Sequence, residues 1–240
     1  MTGGRLPLLL SLPHAGLAVP PEVAAINRLG EADIRRDGDE QAAAIYRPLR
    51  ERVAAFVDTE IARAFVDPNR AEDDIRRDGV VKTHTCWDVP IYAEPLGEKR
   101  RRRLLERYHR PYHRELVRRA RGMPLGIDCH TMAAIGPPVA ADRGRPRPRL
   151  CLGDGGGESC NPELTAALAR CLGEAFGEAV RVNDPFRGGW ITRSRPGAIP
   201  WLQLEISREP WVTEGEKSRA LAAALEAFAP RLLQVGGEGP

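Results

Sequence analysis

Short apolar runs that alternate with amphipathic segments constrain the fold of this chain more than any other feature of its sequence. Six runs have the length of strands: residues 8–12, 62–66, 125–129, 150–152, 179–182 and 202–206. Nearly continuous apolar runs of this length are typical of strands that are buried on both faces. Because strands separated by helices form mainly parallel sheets with helices on both sides, the sequence predicts an α/β fold. We expect a three-layer αβα arrangement in which the middle layer is a mixed, mainly parallel sheet.

Three amphipathic segments are predicted to be helices that cover this sheet. The clearest begins at Asn161, a good N-cap, with Pro162 at the first helical position and Glu163 near the positive end of the helix dipole. Its apolar stripe comprises Leu164, Leu168, Cys171, Leu172 and Phe176. An earlier stripe comprises Ile45, Leu49, Val53 and Phe56. The stripe of a last helix, which precedes a Gly-rich tail, comprises Leu221, Leu225, Phe228 and Leu232.

Length and cysteine content bound the class of protein. With 240 residues and no internal repeat, the chain is expected to form a single domain over residues 1–240. Every apolar stretch is shorter than the roughly 20 residues that a membrane helix needs, so no membrane partner is predicted. The apolar start, residues 1–12, lacks a small-residue cleavage site and is interpreted as a buried strand rather than a signal peptide. Five scattered cysteines without a CxxC pair argue against a disulfide framework and favour the cytoplasm.

Polar residues follow several predicted strands at the edge where a parallel sheet binds ligands. His14 follows the first run, residues 67–70 follow the second, and His130 follows the third. Glu205 lies inside the sixth run, where an ionised side chain needs a partner or a task. Two histidines, several carboxylates and an arginine are thereby predicted to meet at one edge of the sheet.

These residue types suit a hydrolytic metal site. A catalytic zinc site needs about three protein ligands and leaves one position open for water. We expect His14, His130 and an acid near the first helix to be the ligands. Glu205 is then the expected general base, and Arg70 the holder of an anion. The structural alternative is a hydrogen-bonded role for each histidine, a buried salt bridge for Glu205 and a local ion pair for Arg70.

Eight segments, spread over nearly the whole chain, carry a resemblance to one enzyme family. In chain order they are LPLLLSLPHAG, DGDEQAAAIY, FVDPNRAEDD, RPYHREL, IDCHTM, GESCNPEL, FRGGWITR and LQLEISR. The first resembles a family strand that ends in a Pro-His-Ala-Gly turn, the second an Asp-x-Asp segment, and the fifth an Asp-x-His-Ser/Thr strand end. Their order and spacing resemble those of the N-formylglutamate amidohydrolase family.

The resemblance implies a fold and a set of metal ligands. The fold is zinc-carboxypeptidase-like, within the phosphorylase/hydrolase-like group of α/β folds. The implied cofactor is Zn²⁺, held by His14, Asp39 and His130. The resemblance selects Asp39, whereas the spacing alone leaves Asp37, Asp39 and Glu40 as alternatives.

The resemblance also implies a reaction and its other site residues. The reaction is zinc-dependent hydrolysis of the amide bond of a small N-formyl or N-acyl amino acid, N-formylglutamate to glutamate and formate in the family. Glu205 is implied as general base. Asn69 and Arg70 resemble the Asn-Arg pair with which carboxypeptidases hold a substrate carboxylate. Arg193 is predicted to bind a second carboxylate, and His113 lies in a family-like element that is predicted to contact the substrate.

One departure from the family pattern concerns the substrate. Where relatives have Gly-Gly-His-Ile-Thr-Arg, this chain has Trp190 in place of the histidine. If that position contacts the substrate, the indole enlarges the apolar wall and removes a polar contact. A metal-dependent, carboxypeptidase-like hydrolase of another small amide is therefore the alternative.

Two other classes of function are weaker interpretations. The basic run at residues 99–103 and the arginines after it would suit nucleic acid, but Glu98, Glu106 and Glu115 interleave with them, which indicates ion pairs along a solvated helix. A cysteine hydrolase using Cys129 is disfavoured, because neighbouring strand residues point to opposite faces and Cys129 adjoins His130. The predicted partner is thus a small anionic amide and not nucleic acid. The sequence leaves the oligomeric state open.

Overall fold

A six-stranded mixed sheet forms the centre of the protein, whose computed structural model describes residues 4–138 and 140–235. The strands are β1 (Leu6–Leu12), β2 (Val53–Asp58), β3 (Gly126–Met132), β4 (Leu150–Gly153), β5 (Val180–Val182) and β6 (Trp201–Ser207). Their order is β2-β1-β3-β6-β4-β5. Neighbouring strands are parallel, except that β4 runs antiparallel to β6. The predicted mixed, mainly parallel sheet is confirmed.

Helices cover both faces of this sheet. They are α1 (Glu31–Asp37), α2 (Ala42–Tyr46), α3 (Glu98–Leu104), α4 (Arg110–Ala120), α5 (Pro162–Phe176), α6 (Trp190–Ser194) and α7 (Glu214–Val235). A π-helical turn at Leu105–His109 joins α3 to α4. One face of the sheet packs on α2, α5 and α7, and the other packs on α4 and α6. The predicted αβα layering is confirmed.

The strands other than the exposed edge strand β5 are mainly apolar because both of their faces are buried. Leu8 and Leu10 of β1 point into the larger core under α5 and α7, whereas Leu9 points into the smaller core with α4. Alternation of side chains across a strand produces this division. Burial on both faces removes the polar positions that a half-exposed strand would show, which explains the continuous runs in the sequence.

The helix predicted to start at Asn161 is confirmed as α5. The Asn161 side-chain oxygen accepts a hydrogen bond of 2.8 Å from the backbone amide of Glu163, which caps the helix. Gly177 ends it in a left-handed conformation. The last predicted helix is confirmed as α7, and its stripe residues Leu221, Leu225, Phe228 and Leu232 are buried. The Gly-rich tail, residues 236–240, lies outside the described residues, as do residues 1–3 of the apolar start.

The helix predicted over residues 45–56 is wrong in its second half. Helix α2 ends at Tyr46, and a 3-10 turn at Arg47–Leu49 follows. Pro48 lies in that turn; it has no backbone N–H and its ring clashes with the preceding helical turn, so the α-helix does not continue. Val53 and Phe56 belong instead to β2, where β-branched and aromatic residues are favoured.

The strand predicted at residues 62–66 is also wrong. Ile61 and Ala62 form only isolated bridges to Ala18 and Gly16, and the rest of the run forms a turn. The run is apolar because it is buried beside Val80 and Ile91 in a separate small core. A buried loop without strand hydrogen bonds therefore has the same short apolar run in its sequence as a buried strand.

The basic helical segment carries the ion pairs that its glutamates predict. Arg102 of α3 lies 3.8 Å from Glu106 in the π-helical turn, and Arg118 and Arg119 of α4 both bond Glu115. Binding of nucleic acid by this segment is not tested by these pairs, and its absence stays a prediction. Among the described residues, no helix has the length and apolar character needed to cross a membrane.

Candidate active site

Three side chains from separate segments meet at the carboxyl ends of β1 and β3. His14 follows β1, Asp39 follows α1, and His130 lies in β3. Asp39 Oδ2 is 2.9 Å from His130 Nδ1 and 3.4 Å from His14 Nδ1. All three side chains are buried, and one possible ligand atom from each lies within 4.8 Å of the others. Ligand bonds to zinc are about 2 Å long, so this group is compact enough to hold one metal ion.

Each imidazole also contacts a carboxylate other than Asp39, through the ring nitrogen that faces away from Asp39. His14 Nε2 lies 2.7 Å from Asp67 Oδ1, and His130 Nε2 lies 2.8 Å from Asp128 Oδ2. Metal-binding histidines commonly donate their other ring N–H to such a carboxylate, which fixes the tautomer and turns the free nitrogen towards the metal. His14 Nδ1, the nitrogen on the inner side, is buried and has no hydrogen-bond partner. The group is therefore suited to bind a metal ion.

The electrostatics around these histidines also favour a cation. Burial raises the pKa of Asp39, but the His14 and His130 imidazoles outweigh it and hold that pKa well below its usual range. Burial lowers the pKa of His130, but Asp128 and Asp39 raise it well above the ordinary value. Two imidazoles thus share a buried space with the carboxylates of Asp39, Asp67 and Asp128. A bound cation would interact favourably with the Asp39 and Asp128 carboxylates, whereas the Asp67 carboxylate is already paired with Arg63 at 3.0 Å.

The neighbouring acids Asp37 and Glu40 do not approach the histidines in the same way. Asp37 Oδ2 accepts a hydrogen bond of 2.8 Å from Lys82 Nζ, and both side chains are fully buried. The Glu40 side chain is about half exposed and lies 3.8 Å from Arg208 Nη1. Of the three acids that the spacing left open, Asp39 is the one that the fold brings to the two imidazoles.

The buried ion pair predicts a large loss of stability when its cation is removed. We expect Lys82→Met to lower the free energy of unfolding by about 3–5 kcal/mol, because the Asp37 carboxylate would remain buried without its partner. The exposed Lys99 offers a control, and Lys99→Met should change the same quantity by less than about 0.5 kcal/mol. Urea unfolding at neutral pH measures both. Equal stability of the two variants would contradict a charged Lys82–Asp37 pair.

Glu205 lies beside His130 in the register between β6 and β3. Its side chain is buried, and Oε1 accepts a hydrogen bond of 2.8 Å from Gln203 Nε2. Burial raises the pKa of Glu205 to about 7, with the neighbouring Asp39 acting in the same direction and His130 opposing it. A carboxyl group with a pKa near neutrality can both accept and release a proton during a reaction.

Asn69 contacts both carboxylates that orient the histidines. Its backbone amide donates to Asp67 Oδ1 at 2.8 Å. Its Nδ2 donates to Asp128 Oδ2 at 3.0 Å, and its Oδ1 accepts from the backbone amide of Ile191 at 2.8 Å. The carbonyl oxygens on either side accept hydrogen bonds of 2.9 Å, from His113 at Pro68 and from His109 at Arg70. The sequence predicted that this segment follows a strand, and that prediction is wrong. These hydrogen bonds nevertheless bring the segment to the edge of the sheet.

Comparison with known proteins identifies the family of this chain. Residues 6–211 match the sequence model of a family described as N-formylglutamate amidohydrolase. The chain belongs to this family. The match includes every segment that carries the proposed metal ligands, Asn69 and Glu205, and it confirms the resemblance seen in the sequence.

Curated relatives and solved structures agree with this membership. A protein of Pseudomonas putida named N-formylglutamate deformylase is 34% identical over 230 residues, which cover 89% of this chain and 84% of the relative. A protein of Pseudomonas aeruginosa with the same name is 31% identical over 258 residues, which cover 98% of this chain and 96% of the relative. The crystal structure of N-formylglutamate amidohydrolase from Ralstonia eutropha has the same fold, with a TM-score of 0.73, 24% identity, and coverage of 98% of this chain and 94% of that one. A protein of Agrobacterium tumefaciens has the fold at a TM-score of 0.72, with 21% identity, 96% of this chain covered and 92% of that chain.

Within this family fold, the cavity divides the predicted site residues into two groups. A cavity of about 460 Å³ is lined by His14, Asp39, Asn69, Arg70, His130 and Glu205, among other residues. His113 and Trp190 line a different groove, between α4 and α6. Arg193 is exposed, and its Nε donates to the carbonyl of Gly189 at 3.3 Å. A direct contact of these three residues with the substrate stays a prediction.

Several residues of the metal group and of the cavity were not singled out by the sequence. Asp67 had no predicted role of its own, yet its Oδ1 lies 2.7 Å from His14 Nε2 and orients that ring. Gln203 precedes Glu205 by two residues, so both point to the same face of β6, and this spacing is the signal that would have found it. Arg208 donates to the carbonyl oxygens of Gly38 and Thr131 and thereby links the segments that carry Asp39 and His130.

Cys129 does not form a catalytic pair with His130. Its side chain lies in the larger core, with Sγ 3.5 Å from the Ile127 carbonyl oxygen. Burial raises the pKa of the Cys129 thiol well above its usual value. A buried, protonated thiol is a poor nucleophile, so the geometry favours the metal site over a cysteine hydrolase.

Proposed function

We propose that the protein is a zinc-dependent amidohydrolase that converts N-formylglutamate and water into glutamate and formate. Family membership and two curated relatives named N-formylglutamate deformylase support the reaction. The single structural observation that carries the proposal is the buried His14–Asp39–His130 group, in which His14 Nδ1 has no hydrogen-bond partner.

Zinc is the metal that this donor set fits best. Two imidazole nitrogens and one carboxylate oxygen are the ligands of many catalytic zinc sites, which keep a further position open. His14, Asp39 and His130 would hold the ion, and Asp67 and Asp128 would orient the two rings. When bound, zinc supplies Lewis-acid polarisation of the scissile carbonyl and lowers the pKa of water.

Glu205 is proposed to move the proton in this reaction. Its carboxylate would accept the proton of the attacking water as the new C–O bond forms. It would then release that proton to the amide nitrogen as the C–N bond breaks, so that glutamate leaves with a neutral NH2 group rather than as an amide anion. The hydrogen bond from Gln203 fixes the carboxylate, and burial excludes bulk water that would compete as proton acceptor.

Asn69 and Arg70 are proposed to bind the substrate beside the metal. The Arg70 guanidinium is about 30% exposed and lines the cavity, and its ionic contacts with the described residues are long, at 3.4 Å to Asp78 and 3.8 Å to Asp67. An incoming carboxylate could replace these contacts with two parallel hydrogen bonds. The substitution of the family histidine by Trp190 does not argue against N-formylglutamate, because Trp190 lines the groove between α4 and α6.

A substrate panel tests the proposed reaction. We expect formate release from N-formylglutamate with a kcat/KM at least about 100-fold above that for N-acetylglutamate, N-formylalanine and N-formylmethionine, because the latter two lack the second carboxylate and the first has a bulkier acyl group. The free amino acid that each substrate releases is measured with an amine-reactive reagent, because N-acetylglutamate yields acetate rather than formate. Faster turnover of an apolar formyl or acyl amino acid would support the alternative, a hydrolase of another small amide.

The setting of this activity is also a proposal. We propose one catalytic domain over residues 1–240, acting in the cytoplasm on a small anionic amide. The five cysteines form no disulfide in the structure, which is typical of a reducing compartment and supports that location.

A further inference from the structure

The cavity contains more cationic than anionic side chains. Its cations are Arg36, Arg63, Arg70, Lys82, Arg147, Arg187 and Arg208. Its acids are Asp37, Asp39, Asp78 and Glu205. Seven positive groups face four carboxylates, and the ion that we propose would add further positive charge. A cavity with this balance attracts a ligand that carries more than one negative charge.

Most of these cations are already engaged by the protein. Ion pairs hold Lys82 to Asp37 at 2.8 Å, Arg63 to Asp67 at 3.0 Å, and Arg147 to Asp142 at 2.6 Å. Arg208 donates to backbone carbonyls, and Arg70 retains the long contacts described above. These side chains mainly balance charges of the protein itself.

Arg36 and Arg187 differ from the other cations of the cavity. Within the described part of the chain, neither has a carboxylate partner. The Arg36 guanidinium stacks on the ring of Trp87, with its central carbon 3.8 Å from the ring centre. The Arg187 side chain has neither an ion pair, nor a hydrogen bond, nor an aromatic partner among the described residues, although it lines the cavity. It is the cation with the most unused capacity to bind a ligand.

The backbone that carries Arg187 is fixed on both sides. Its carbonyl oxygen accepts a hydrogen bond of 2.6 Å from the amide of Gly155, and the amide of Gly189 donates to Gln203 Oε1 at 2.5 Å. Gly188 has a φ of 123°, which side chains rarely adopt, and a Cβ at Gly189 would lie 2.3 Å from Asn69 Nδ2. Two glycines thus allow the segment to pack against the side chains that support Glu205 and His130. A cation on a rigid segment needs less ordering when it binds a ligand.

We propose that Arg187 binds the side-chain carboxylate of the substrate, while Arg70 binds the α-carboxylate. This assignment rests on the proposed function. The α-carboxylate is attached to the carbon that bears the scissile nitrogen, so it must lie close to the metal ligands, where Asn69 contacts His130 Nε2 at 3.1 Å. The side-chain carboxylate is two methylene groups farther away and needs a cation elsewhere on the wall. Arg187 meets that requirement, and its planar guanidinium can form two parallel hydrogen bonds to a carboxylate. It takes the role that the sequence had assigned to Arg193.

Ligand binding to variants tests this assignment without relying on turnover. The purified, metal-containing protein is titrated calorimetrically with L-glutamate and with L-glutamine, which differ only in the charge and donors of the side-chain terminus. We expect the wild-type protein to bind glutamate more tightly than glutamine by about 10- to 100-fold, the usual effect of one charge-assisted contact. Arg187→Gln should bring the two affinities within about 3-fold of each other. Arg36→Gln, the matched control, should retain the wild-type preference.

The outcomes separate this inference from the proposed reaction. A wild-type preference that survives in Arg187→Gln, or that disappears in Arg36→Gln, would overturn the assignment, as would a wild-type protein without any preference for glutamate. Formate release from N-formylglutamate is measured separately on the same preparations. If the wild-type protein prefers glutamate through Arg187 but releases no formate, the reaction is refuted and the role of Arg187 stands. If it releases formate but Arg187→Gln keeps the preference, only the role of Arg187 is refuted.

Discussion

Replacement of His130 by alanine is expected to remove the bound metal and to lower formate release from N-formylglutamate by more than about 1,000-fold. His130 supplies one of three proposed ligands, and Asp39 Oδ2 lies 2.9 Å from its Nδ1. Two remaining ligands hold zinc weakly, and several kcal/mol of transition-state stabilisation are lost with the ion. Metal content per chain by mass spectrometry and the rate of formate release are the measurements.

His84 provides the control for this prediction. His84 does not line the cavity, its Nδ1 contacts Thr83 and Arg77, and its side chain is only partly buried. His84→Ala should keep wild-type metal content and activity. Far-UV circular dichroism shows whether His130→Ala is folded. A folded His130→Ala protein with full metal content would refute the proposed ligand set.

The Glu205→Gln variant is expected to keep its metal and to lose about 100- to 10,000-fold in kcat, the usual contribution of a general base. Glutamine has nearly the same size, and its amide oxygen can still accept the hydrogen bond from Gln203 Nε2. It cannot accept the proton of the attacking water. KM should change little, because the carboxylate acts on the proton and does not hold the substrate.

Glu209 offers a matched control, since it follows the same strand but is exposed. Glu209→Gln should behave as the wild-type protein does in both metal content and kcat. If Glu205→Gln retained more than about a tenth of the wild-type kcat, the base would have to be another residue. If it lost its metal, Glu205 would act on the metal site rather than on the proton.

The sequence predicted the layers of the fold because burial and helix capping are visible in residues that are neighbours in the chain. Asn161, Pro162 and Glu163 mark the start of α5 within three consecutive residues, and the strand runs are apolar because the sheet is covered on both faces. The same logic failed at residues 62–66. That run is buried under a loop, and an apolar run does not distinguish burial in a loop from burial in a strand.

The site could be predicted from the sequence only in part, for a related reason. Strand ends placed His14 and His130 at one edge, but Asp39 was selected by family resemblance, since Asp37, Asp39 and Glu40 are equivalent in spacing. The fold separates them through Lys82, which is 45 positions from Asp37 in the chain and was not expected to bind it. Arg187 and Arg193 lie six residues apart and are both exposed, but only Arg187 lines the cavity, which the spacing of the two residues does not reveal.

Zinc reconstitution tests the central claim most directly. Metal is removed with a chelator, and zinc is then added in steps while formate release from N-formylglutamate is measured. The proposed site predicts negligible activity without metal and a linear rise that ends at about one zinc per chain, as a single three-ligand site implies. Full activity in protein shown to be free of metal would contradict a metal-dependent mechanism at His14, Asp39 and His130.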